Sequence, residues 1–165
     1  FNGKHLIIEI KHGAHFEALG IDPIQEVKAL LEQSDWSSRG MKISLESFEF
    51  EFLKRAKLEI GPEISYVFLS ARDTLPEGIT ELTDDLLVEI ADNFDAVSVA
   101  MSMVLTGDLV ARAKKMGLDI YAFTARLETA DGNVEKWFER LVSTGVDGIF
   151  ADQPDLLIKT VADLT

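Results

Sequence analysis

Apolar positions along the chain follow two alternating rhythms. Short runs rich in Ile, Val, Phe and Tyr, residues that suit a pleated surface, predict six strands: His5–Lys11, Met41–Ser47, Ile64–Ser70, Ala96–Ala100, Asp119–Thr124 and Asp147–Ala151. Between them apolar residues recur at helical spacing. Ile24, Val27, Leu30 and Leu31 share one helix face; Leu109, Val110, Ala113 and Met116 share another; Val134, Trp137, Phe138, Leu141 and Val142 form a third stripe. Asp22 can cap the first of these helices, with Pro23 at its first position and Gln25 three residues on, a capping-box arrangement. Thr106 can cap the second. A glycine stands ahead of four of the strand runs, at Gly40, Gly61, Gly117 and Gly145, where its left-handed backbone can stop a helix. The stretch TLPEGITELTDD reads as a polar loop leading into a helix.

Strands alternating with helices predict βαβ units and a parallel sheet, an α/β fold. A (β/α)8 barrel spends roughly 31 residues on each unit, so this length suits a partial barrel of about six units. An open doubly wound sheet of six strands fits the length as well, but its marker, a glycine-rich phosphate loop after the first strand, is missing. No linker or low-complexity segment divides the chain, and residues 1–165 read as a single domain.

Composition narrows the partners. The net charge of -13 argues against nucleic acid, which needs a basic footprint, and against adsorption to anionic membranes. An anionic substrate stays open, because a metal or one lysine can set the local field against the global one. With no cysteine, disulfides, thiol catalysis and thiolate zinc sites are excluded. No apolar run approaches the roughly 18 residues of a membrane span. The chain starts at Phe1 without a methionine or a signal segment. Phe1 and Asn2 read as the lead into a strand, and further residues are expected upstream. The compartment, periplasmic or secreted against cytoplasmic, is open for the same reason, and so is the oligomeric state.

Candidate chemistry begins with HLIIEIKHG, His5 to Gly13. In a strand, Leu6, Ile8 and Ile10 point one way and Ile7, Glu9 and Lys11 the other. Both faces are largely apolar, which predicts burial on both sides. An acid and a base are costly there unless they pair or hold something. Glu9 and Lys11 also lie at the C-terminal end of the strand, where α/β folds build their sites. Glu9 suits a hard cation, Mg2+ or Ca2+, and Lys11 a phosphate oxygen. Spacing alone leaves an ion pair at the rim and a binding site evenly matched.

The chain resembles the glycerophosphodiester phosphodiesterases in four blocks in the family's order. HLIIEIK resembles their Glu-x-Lys strand. ISLESFEFEFLKRAK resembles a strand ending in a polar residue, Ser and Phe, before a helix. GLDIYAFTARLE is similar to their penultimate strand with its aromatic-Thr pair, and GVDGIFADQPDLL to their last strand. The resemblance implies a TIM barrel, with these as strands three to eight, and hydrolysis of glycerophosphodiesters to glycerol 3-phosphate and an alcohol. It implies Mg2+ or Ca2+ held by three carboxylates and two histidines acting as general acid and base. Glu9 then matches the third carboxylate and Lys11 the family's lysine.

Other parts of that machinery are missing from the chain. It contains no His-Arg, and no Glu-x-Asp precedes Glu9. His5, His12 and His15 do not match the catalytic histidines; His5 begins the strand, and His12 and His15 follow it in a glycine-containing loop. The family often has proline after the lysine, where this chain has His12-Gly13. Phe123 stands at the family's aromatic position and Phe48 after a strand end; each would wall the pocket or pack in the core. Glu46 occupies a position often held by glutamine, as a hydrogen-bonding partner or a rim residue. Arg126 would meet phosphate or pair with Glu128. Asp152 is expected as an acceptor at a helix start before Pro154. The chain alone is expected to show negligible turnover and weak metal binding. The alternatives are a related sphingomyelinase-like phospholipase and a degenerate, non-catalytic barrel serving as a binding module.

Overall fold

All six predicted runs form strands in a computed structural model, which describes residues 3–130 and 132–164. Phe1 and Asn2, expected to lead into the first strand, lie outside those residues. The chain divides into two compact units, Phe1–Leu69 with Asn93–Asp95, and Ser70–Asp92 with Ala96–Thr165.

The first unit carries parallel strands β1 (His5–Glu9), β2 (Lys42–Ser47) and β3 (Ser65–Ser70), paired in that order. Helices α1 (Gly13–Ala18), α2 (Pro23–Gln33) and α3 (Phe50–Ile60) connect them. Burial of β1 on both faces is not what the structure shows. Leu6 is 46% exposed and Ile7 and Ile8 are half-buried, because β1 stands at the end of the strand order and pairs only with β2 among the described residues. The buried strand is β2, whose residues Ile43 to Ser47 are all buried. Helix α3 packs on it and buries Phe52, Leu53 and Ala56. Phe50 of α3 meets Phe68 of β3 and Phe94 edge-on, with centroids 5.3 and 4.9 Å away.

Asp22 caps α2 as predicted, its Oδ1 accepting from the Ile24 and Gln25 N–H groups at 3.0 and 3.3 Å. The reciprocal half of the capping box does not form, since the Gln25 amide donates to Glu59 instead, at 2.6 Å. Leu30 does not join its predicted face and is 66% exposed. Ile24, Val27 and Leu31 lie within about 60° around the helix axis, and Leu30 falls about 60° beyond Val27. Replacing Asp22 by alanine is expected to lower stability by about 1 kcal/mol in urea unfolding, the usual worth of such a cap. No measurable loss would mean that the cap does not hold α2 in solution.

The second unit carries α4 (Asp84–Asn93), β4 (Ala96–Ala100), α5 (Leu109–Lys115), β5 (Asp119–Ala125), α6 (Val134–Val142), β6 (Gly148–Ala151) and α7 (Pro154–Leu164). Its strands are parallel in the order β4-β5-β6. The stripe on α6 behaves as predicted, with Phe138 and Leu141 fully buried. Thr106 does not cap α5. Asp108 occupies the cap position without a side-chain cap bond, because its carboxylate accepts from Arg112 at 2.9 Å.

One device recurs in both units. The Asp95 carboxylate accepts the Tyr66 N–H at the start of β3, at 2.8 Å, and Asp147 does the same for Ile120 in β5, at 3.0 Å. Partial burial pushes the Asp147 carboxyl up. The Ile120 N–H and the Lys114 ammonium more than offset this and hold it below the usual carboxylate range.

Candidate functional site

The C-terminal ends of β1 and β2 are tied together through the backbone. The Ile10 N–H donates to the Glu46 carbonyl at 2.9 Å, and the Ser47 hydroxyl donates to the Ile10 carbonyl at 2.9 Å while accepting the Glu49 N–H at 3.2 Å. This fixes a register in which Glu9 lies opposite Glu46, and Glu46 opposite Val67 of β3. Register partners on adjacent strands project to the same face of a sheet, so the two carboxylates are neighbours.

Their surroundings differ. The Glu9 side chain is 28% exposed, and its Oε2 lies 3.4 Å from the ammonium of Lys11, whose side chain is 69% exposed. Glu46 sits on the central strand of its three and is only 6% exposed. Its Oε2 is buried and accepts no hydrogen bond. Burial, and then the negative charge of Glu9, push the Glu46 carboxyl from 4.5 up to about 7, against a smaller pull from Lys11. Two adjacent carboxylates, one with a buried oxygen lacking a donor, form the kind of oxygen set that a hard divalent cation accepts. Among the described residues, no group of three or more His, Asp or Glu side chains gathers to hold a metal.

The sequence profile of the Glycerophosphoryl diester phosphodiesterase family matches residues 3–156. The chain belongs to this family. Among solved structures, a Silicibacter pomeroyi DSS-3 protein, named provisionally as a glycerophosphoryl diester phosphodiesterase, is similar at 24% identity with a TM-score of 0.74, over 97% of this chain and 51% of that one. A glycerophosphodiester phosphodiesterase from Agrobacterium tumefaciens str. C58 is similar at 16% identity with a TM-score of 0.56, over 96% of this chain and 55% of that one. The chain thus spans about half the length of these two proteins. The carboxyl transferase domain of Rhizobium etli pyruvate carboxylase matches at 16% identity with a TM-score of 0.50, over 89% of this chain and 26% of that one. A shared fold therefore extends to a different chemistry, and the likenesses speak for the fold alone. A search of the curated proteins returns no match.

The remaining candidates of this phosphodiesterase-family chain are distributed as follows. Phe48 is half-buried in the bend between β2 and α3. Phe123 is half-buried on β5 and Arg126 is exposed just after it, both in the second unit. Arg126 pairs with Asp152 at 3.2 Å, not with Glu128. The Asp152 carboxylate, expected at a helix start, is engaged by that guanidinium, while Pro154 does open α7. His5 Nε2 lies 2.7 Å from the Ser44 hydroxyl. His12 adopts the left-handed conformation (φ 56°) at the start of α1, and His15 packs edge-on to Phe16 at 5.8 Å.

Gly13 is required by packing. A Cβ there would meet the Phe52 ring at 2.4 Å. The sequence carries one signal that Glu46 faces the site. KISLES alternates, and Glu46 shares a face with Lys42 and Ser44, opposite the core residues Ile43 and Leu45.

Proposed function

We propose that this chain is part of a metal-dependent phosphodiester hydrolase that cleaves glycerophosphodiesters to glycerol 3-phosphate and an alcohol. The observation that carries the reading is the Glu9–Lys11 pair at the C-terminal end of β1, inside a family match that runs from residue 3 to residue 156. We read the six strands as strands three to eight of a (β/α)8 barrel, which puts that pair at the end where such barrels carry their sites. Glu9 would hold Mg2+ or Ca2+, which would supply positive charge against the charge gathering on the phosphoryl oxygens. Lys11, mostly exposed and tethered only at 3.4 Å, is free to swing to a phosphate oxygen. Within the first unit Phe48 would wall the glycerol or headgroup; within the second, Phe123 would offer an aromatic face and Arg126 would reach a phosphate by exchanging Asp152 for it.

No residue of this chain matches the acid and base histidines, so the 165-residue chain is expected to bind the product half of the substrate without turning it over. Calorimetry should show glycerol 3-phosphate binding that needs Mg2+ and weakens about tenfold in Lys11→Met, the scale of one charge-assisted hydrogen bond. Hydrolysis of glycerophosphodiesters should not exceed that of Glu9→Ala. Metal-dependent release above that control would overturn the inactivity, and binding indifferent to Lys11→Met would remove the lysine from the site. The second reading, a non-catalytic binding module, is favoured by the lack of a three-ligand metal group among the described residues. It predicts binding without any need for Mg2+.

A further inference from the structure

One oxygen of the Glu46 carboxylate, Oε2, is buried and has no hydrogen-bond partner. The residue is only 6% exposed, and its register partner is a second carboxylate. A buried carboxylate oxygen without a donor costs stability. With both carboxylates ionised, Lys11 supplies one positive charge against two negative ones, and its ammonium sits on Glu9, not on Glu46. A glutamine at this position could donate its amide hydrogens to a ligand; an ionised glutamate can only accept. The partner that suits it is therefore a cation.

We infer that Glu46 is a direct ligand of the divalent cation, alongside Glu9, in a two-carboxylate site built wholly within the first unit. This rests on the reading of Glu9 as a metal ligand and adds to it a second carboxylate from the neighbouring strand. Two carboxylates and one divalent cation are neutral together. Lys11, displaced from Glu9, then keeps its full charge for a phosphodiester, whose single negative charge it balances. Mg2+ is commonly held by one or two carboxylates, its remaining positions being filled by water and phosphate oxygens. The pair is therefore a sufficient protein contribution, and the exposed side of Glu9 leaves room for the other ligands.

The test is Mn2+ titration of the full chain followed by electron paramagnetic resonance, with circular dichroism confirming that each variant is folded. The wild type should bind one Mn2+ per chain. Glu46→Gln, nearly isosteric and uncharged, should weaken binding by at least about tenfold, within the range seen when a metal site loses a supporting group. Glu9→Gln should do the same. Lys11→Met should strengthen binding, because the cation no longer competes with an ammonium for Glu9. If Glu46→Gln binds as tightly as the wild type while Glu9→Gln does not, the inference fails and Glu9 keeps its role. If both variants bind like the wild type, both assignments fall. No Mn2+ binding by the wild type at millimolar concentration would also overturn the inference, while leaving the phosphate-binding role of Lys11 to be judged by its own experiment.

Discussion

Phe138→Ala is expected to lower the free energy of unfolding by about 3–5 kcal/mol, the range for truncating a fully buried aromatic ring. Phe138 has no exposed surface, and it projects from α6 beside Leu141, which is equally buried. Truncation loses the transfer energy of the ring and leaves a cavity that the close-packed surroundings fill only in part. Urea unfolding measures the loss directly. Phe138→Leu should cost less than about 1.5 kcal/mol, because it keeps most of the volume and all of the apolar character. A loss below about 1 kcal/mol in the alanine variant would mean that α6 is not seated by this ring in solution.

Glu46→Gln should make the protein more stable at alkaline pH and leave it nearly unchanged in acid. The folded state keeps a proton on Glu46 up to about pH 7, whereas the unfolded chain releases it near 4.5. Between those values the folded state binds more protons, so stability falls as pH rises. Below that window the carboxyl is neutral in both states and contributes nothing; above it the whole penalty is present. The difference corresponds to a ceiling of about 3 kcal/mol, which solvent screening near the open end of the strand reduces to about 2 kcal/mol. Urea unfolding at pH 4 and pH 8 gives the two ends, both chosen outside the window. A Glu46→Gln variant that is equally destabilised at both would show that the ionised carboxylate is well satisfied in the apo protein, contrary to the orphaned oxygen. A cost of this kind in the wild type, placed beside Glu9 and Lys11, is what a ligand-binding site commonly carries.

Much of the architecture was legible in the residues because it is encoded locally. The alternation of strand-forming runs and helical stripes predicted six strands and the buried stripe on α6, and Asp22 before Pro23 marked the start of α2. The errors fall where a distant residue decides. Asp108, not Thr106, stands at the head of α5, and its carboxylate is drawn to Arg112, which also pairs with Asp84 and donates to the Leu82 carbonyl. Gln25 fits a capping box in sequence and is taken by Glu59 of α3 in space. HLIIEIK has the composition of a doubly buried strand, yet composition does not say how many neighbours a strand has, and β1 has one among the described residues.

The same division runs through the site. Glu9 and Lys11 lie two residues apart on one strand, so their proximity follows from the period of an extended chain, and the sequence by itself determined it. The order of the motifs likewise carried the family. The juxtaposition of Glu9 with Glu46 was decided only by the tertiary structure, because the register between two parallel strands is set by the packing and turns of everything between them. From that register follow the burial of Glu46, its raised pKa and its orphaned oxygen. Each is a property of what surrounds a side chain, and that surrounding is assembled from residues far apart in the chain.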